Sequence, residues 1–178
     1  MATTDTGFSF KYDFGGTTTG ALKQVIIASS QTIQVGGLVL VNAAGHLSVA
    51  TAGNPIFGVV VALVDVNGID MENTRVTKDG TYTASTRSYA ASASNGTGSK
   101  FSALVNTSKT AVYSAQPDSA IGTTTGSNLL GYYCDIATGG LQPDEDTTAT
   151  SSTVQLFIWG VDPDNTAHGL YSIHESMI

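Results

Sequence analysis

Charge is scarce in this 178-residue chain: 12% of its residues are Asp, Glu, Lys or Arg, about half the ~25% usual in a globular domain. Basic residues are absent altogether after Lys109. The seven Lys and Arg residues lie in the first 109 positions beside six acids, whereas positions 110–178 carry eight acids and no compensating base. Binding to nucleic-acid phosphates needs clustered Lys and Arg that displace counterions, so a nucleic-acid partner is excluded. A single cysteine, Cys134, rules out an internal disulfide, and its place in the apolar stretch 129–136 reads as a small buried hydrophobe. No run approaches the ~18 apolar residues that cross a bilayer. The longest, Ile56–Val64, suits a buried strand, and no membrane partner is expected. The opening Met1-Ala-Thr-Thr-Asp-Thr-Gly7 has neither the basic nor the apolar region of a secretory signal, so synthesis in a cytosol is expected.

Small polar residues stand where the charges are missing: 25 Thr, 18 Ser and 20 Gly. Thr favours pleated surfaces and Gly supplies turns and bulges. With 41% apolar residues and a mean hydropathy of +0.09, the chain has enough to bury a core. Such a composition suits a protein whose surface is largely covered by other proteins.

Residues 1–20 are rich in Thr and Gly and place Phe8, Phe10, Tyr12 and Phe14 in strict alternation, the period of an extended strand. They predict a strand-like arm with one aromatic face, packed either on the protein's own body or, by strand addition, on a neighbour. From Gln24 onward, β-branched runs alternate with Gly, Asn and Pro turns. Leu38–Asn42 and His46–Ala50, three residues apart with Gly45 between them, predict a hairpin. Gly58, inside the strongest strand run, reads as a bulge at a barrel corner. Strands are also expected over Gln24–Ala28, Phe101–Val105, Ala111–Ala115, Leu129–Ile136, Val154–Trp159 and Gly169–Ile173, and loops over Val66–Tyr82 and Tyr89–Lys100. No sustained helical stripe occurs, so the expected fold is all-β, a small barrel or sandwich. Gly37 to Leu47 echoes Gly131 to Leu141 in its Gly and Leu spacing. Two related small barrels, 21–117 and 118–178, or simply the shared turn chemistry of Gly-rich hairpins, account for the echo.

The search for chemistry returns no catalytic, cofactor or metal residue. Acyl transfer by serine needs a nucleophile on a strained turn such as Gly-x-Ser-x-Gly. None is present, and His46, His168 and His174 read as polar residues at sheet edges. Gly96-Thr-Gly-Ser-Lys100 lacks the Gly-Lys-Ser/Thr order of a phosphate loop. The carboxylates of Asp65-Val-Asn67-Gly68-Ile-Asp70 and Asp162-Pro-Asp164-Asn165 miss the EF-hand order, and the second is turn chemistry by itself. Asp144-Glu145-Asp146 reads as a solvated loop, and Trp159 as part of a core-like run.

Residues 32–61, from Thr32-Ile-Gln-Val-Gly-Gly to Ile56-Phe-Gly-Val-Val-Val, resemble a module of tailed-bacteriophage head decoration (cement) proteins and related virion proteins. Ala103-Leu-Val-Asn-Thr-Ser, Val112-Tyr-Ser-Ala-Gln, residues 126–133, Ile158-Trp-Gly-Val-Asp-Pro-Asp and the ending Ile173-His-Glu-Ser carry the resemblance along the chain. It implies one or two small SH3-like or β-tulip-type barrels with long loops, an extended arm over 1–20 and a body over 21–178. It also implies a non-enzymatic role: synthesis in the host cytoplasm, then binding of the major capsid protein on the virion surface as a homo-oligomer. A trimer is favoured, because such proteins often occupy local three-fold positions. Phe8, Phe10, Tyr12 and Phe14 are the expected interface residues of the arm. The charge split would turn the near-neutral N-terminal part toward the capsid and the acidic part outward. Alternatives are another minor virion component, such as a tail-tube or head-fibre protein, and a carbohydrate-binding or adhesin domain using Tyr132 or Tyr133.

Overall fold

The computed structural model describes residues 7–14, 22–65, 67–71, 75–77, 79–93, 101–118, 131–137, 139–149 and 154–174. Among these the fold is all-β, with three antiparallel sheets and no helix. The first sheet has six strands in the order β1 (Ser9–Asp13), β11 (Ala111–Ala115), β15 (Asn165–Ile173), β14 (Leu156–Asp162), β12 (Tyr133–Ile136) and β13 (Pro143–Ala149). The second has five: β2 (Leu22–Ile26), β10 (Ser102–Asn106), β6 (Gly58–Val64), β4 (Leu38–Val41) and β5 (Leu47–Val49). The third has four: β3 (Thr32–Gln34), β9 (Ser88–Ala91), β8 (Gly80–Thr83) and β7 (Arg75–Thr77). The all-β expectation holds, but the strands are laid out as open sheets, each with two edges, rather than as a closed barrel.

Two cores separate the layers, and alternation along the middle sheet feeds both. Leu38 and Val59 point into the first core with Tyr113, Ile158 and Tyr171 of the six-stranded sheet. Their neighbours Val39 and Val60 point into the second, with Tyr82 and Tyr89 of the four-stranded sheet. A strand buried on both faces needs apolar residues at every position, which is why Leu38-Val39 of β4 and Val59-Val60 of β6 are apolar without alternation. The predicted hairpin forms as β4–β5, with Val39 opposite Val49 and Val41 opposite Leu47. Gly45 takes the left-handed conformation at φ 79°, and Asn42 Oδ1 accepts the amides of Ala44 and His46 at 3.0 Å each.

Three segments differ from the sequence reading. Val66–Tyr82 contains β7 and most of β8 rather than a loop. The Tyr89 end of the second expected loop belongs to β9, with Tyr89 buried and its hydroxyl donating to the Asp79 carbonyl at 2.6 Å; residues 94–100, including the rejected phosphate-loop pattern, lie outside the described residues. Asp144 and Glu145 are in β13 rather than a solvated loop. Glu145 is 2% exposed because its carboxylate accepts the hydroxyl hydrogen of Tyr171 in the first core.

Gly58 opens β6 without a bulge of its own. A Cβ there would sit 2.2 Å from the Asn106 carbonyl oxygen and 2.7 Å from Val105 Cγ1 of β10, so the missing side chain lets two backbones approach. Gly58→Ala is therefore expected to cost about 1–3 kcal/mol of stability by overpacking. Urea unfolding would show it as a lower midpoint, whereas the same change at open Gly45 forces only a strained φ.

Candidate docking interface

The arm does not present one aromatic face. Ser9 and Phe10 pair with Ser114 and Tyr113, but Tyr12 and Asp13 pair with Val112 and Ala111, so Lys11 is the extra residue of a β-bulge. An extra residue flips the alternation that follows it. Before the bulge, Phe8 enters the first core and Phe10 packs edge-on against Tyr113, ring centres 6.2 Å apart. After it, Tyr12 and Phe14 lie on the opposite, outer face of the six-stranded sheet. Phe8 is therefore a core residue, and Phe10, Tyr12 and Phe14 are exposed.

The bulge is pinned by charge. Lys11 Nζ lies 2.9 Å from Asp162 Oδ2 and 3.2 Å from Asp164 Oδ2, and Asp162 is 1% exposed. Burial works to raise the Asp162 carboxyl. Hydrogen bonds from the Ser114 hydroxyl, Lys11 and the Asp164 amide outweigh it and hold the carboxyl below its usual value. Bonding to Asp162 and Asp164 correspondingly raises the Lys11 ammonium. The short Ser-His-Asp sequence of contacts here is not a hydrolytic triad. Ser114 gives its hydrogen to Asp162, so toward His168 Nδ1, 3.1 Å away, its oxygen can only accept. General-base activation needs the reverse, and Ser114 is buried.

Beyond the bulge, aromatic rings run across the outer face. Leu156 and Ile158 fill the core, so alternation turns Phe157 and Trp159 outward, and likewise Tyr133 beside core Cys134. Ring centres lie 5.1 Å apart for Tyr12–Phe14, 5.0 Å for Phe14–Trp159, 4.9 Å for Trp159–Phe157, 5.2 Å for Phe157–Tyr133 and 4.4 Å for Tyr133–His174. The indole Nε1–H donates to Ser172 Oγ at 3.0 Å, which fixes the ring. Beside this ladder is an open groove of about 480 Å³, lined by Phe14, Phe157, Trp159, Lys109, Thr110 and His174 among others. The Lys109 ammonium donates to the Ile56 carbonyl at 2.8 Å, and burial lowers its pKa. The groove is thus apolar with a polar rim, the make-up of a protein-binding hot spot.

Trp159 corrects its assignment to the core. Leu156-Phe-Ile-Trp159 is apolar at every position, so alternation alone leaves open which pair faces inward. Cys134 is buried in the first core as expected, with burial and then Glu145 pushing its thiol up. The two acidic turns are held by their own backbone: Asp65 Oδ1 accepts the Asn67 and Ile69 amides at 2.8 and 3.1 Å, and Asp162 Oδ1 the Asp164 amide at 3.0 Å. Among the described residues no three His, Cys, Asp or Glu side chains converge as metal ligands. His46 is half-buried at the hairpin turn. No family model, curated protein or solved structure matches the chain, so its own geometry carries the functional reading.

Because the folded state binds the Asp162 proton less readily than the unfolded chain, this carboxylate's stabilisation is present above its usual value of 3.8. It is lost as pH falls through the lower folded value. Asp162→Asn is expected to cost about 2 kcal/mol at pH 7, the scale of a hydrogen bond to a charged group. The gap to wild type should narrow toward pH 2 in denaturant titrations.

Proposed function

We propose that this chain is a structural protein of a phage virion, a decoration or cement protein that docks on the major capsid protein through the aromatic ladder of its six-stranded sheet. The observation that carries the reading is the ladder itself: large rings, pre-ordered against one another and half-exposed, on a chain otherwise poor in charge. Interfaces draw their binding energy from such rigid aromatic anchors. The neighbouring rings meet mostly edge to face, at interplanar angles of 81°, 74°, 66° and 71° with one pair at 46°. They make a ridged surface suited to a protein partner rather than the flat open ring that a sugar stacks on. A rigid all-β body that binds only the assembled lattice stabilises that lattice by mass action. The ladder lies on the sheet built mostly from the acidic C-terminal strands, so in this reading that sheet turns toward the capsid. That reverses the orientation inferred from charge alone. The resemblance adds the arrangement, three copies about a local three-fold position on the capsid surface.

Deleting the arm would not test this, because Phe8 belongs to the core. Tyr12→Ser with Phe14→Ser changes only exposed rings. The double variant is expected to keep its melting temperature within about 2 °C, as surface changes do, and to lose at least tenfold in occupancy on particles lacking the wild-type protein. Occupancy equal to wild type sinks the docking face. Absence of the wild-type chain from a cryo-EM map of the purified particles sinks the virion reading.

A further inference from the structure

The other half of the divided arm borders a second concavity. A cleft of about 280 Å³ lies where the edge strand β1 approaches the middle sheet and the β8–β9 turn, with Phe8, Phe10, Val59 and Val61 among its apolar walls, Tyr113 beside them and Arg87 at its mouth. The turn that carries Arg87 is fixed: its amide donates to the Ala84 carbonyl at 3.2 Å, and its carbonyl accepts the Val35 amide at 3.0 Å. Arg87 is exposed, and its guanidinium makes no ion pair or hydrogen bond with a described residue. Lys11 and Lys109, by contrast, are both engaged.

The backbone of β1 adds a second recognition element. The Phe8 amide donates to the Gly36 carbonyl at 2.8 Å, so it points away from β11. Strand alternation directs the Phe10 N–H and C=O the same way, and among the described residues no strand pairs with β1 on that side.

We propose that this cleft binds an extended segment of a partner protein, which adds beside Phe10 as a short seventh strand and sets a side-chain carboxylate on Arg87. Main-chain bonds to an edge strand supply affinity without sequence preference, and a pocket beside the edge supplies the choice. The guanidinium fork suits a carboxylate. Arg87 is the one charged residue among the described residues that line the cleft, so the selection of an acidic segment falls on it. The site uses none of Tyr12, Phe14 and Trp159, so it stands or falls independently of the docking ladder.

The test is an NMR titration of the full ¹⁵N-labelled chain with the end-blocked pentapeptide Thr-Val-Thr-Val-Glu and its Gln counterpart. The Glu peptide is expected to shift amides around Ser9–Phe10, Val60–Val61 and Thr86–Arg87, and to bind at least tenfold more tightly than the Gln peptide. Arg87→Gln should reduce the Glu peptide to the level of the Gln peptide, and Arg87→Lys should restore part of the difference. If Arg87→Gln disturbs the turn, the comparison of the two peptides on wild type and Arg87→Lys decides alone. Equal affinity of the two peptides, shifts confined to the aromatic ladder, or no shift at millimolar peptide would each overturn the proposal. So would decanoate reproducing the shifts at equal affinity, since it carries the carboxylate without a peptide backbone.

Discussion

The charged contact between Lys11 and the buried Asp162 sets what the N-terminal strand can do. A bulge in an edge strand leaves one residue without a place in the ladder, and here that residue is tied down by a carboxylate that burial makes unforgiving. With Lys11 held, the strand before it must face inward and the strand after it outward. One short segment thereby closes the first core with Phe8, borders a cleft with Phe10 and begins an exposed ring ladder with Tyr12 and Phe14. Without the bulge, unbroken alternation would turn Tyr12 and Phe14 to the same face as Phe8 and Phe10.

The second constraint is the sharing of the middle sheet. Val59 and Val60, adjacent in sequence, belong to different cores, as do Leu38 and Val39. Packing changes on either side are felt through the same backbone. The close contact of Gly58 with β10 shows how little slack that layer has. Polar ties cross the layers as well: the buried Gln155 amide donates to the carbonyls of Thr51 and Asn54, joining the segment that leads into β14 to the loop before β6.

What was legible in the sequence was local. The hairpin at Gly45 follows from turn residues a few positions apart, and Ala111–Ala115 from its own β propensity. The all-β class follows from the lack of any helical stripe. What escaped depends on partners far along the chain. Glu145 looks solvated until Tyr171 supplies a hydrogen-bond donor, and Tyr89 looks like a loop residue until β8 and β3 flank it. Phe8, Phe10, Tyr12 and Phe14 look like one face until Lys11 meets Asp162. Trp159 was unreadable for another reason: Phe157 and Trp159 are as apolar as the residues between which they stand, and hydrophobicity cannot say which face is open.

The pairing of β1 with β11 also orders events in time. Ser9 finds its partner only at Ser114, and the Lys11 contact waits for Asp162, near the other end of the chain. Strand pairs of such long sequence separation close late and slowly. During synthesis the first strand emerges with its aromatic residues long before anything exists to receive them. Its flanks are rich in Thr and Gly and poor in further apolar residues, which limits the sticky segment to a few positions. The strand β1 is thus made well before the strands that hold it and takes its place only after they have formed.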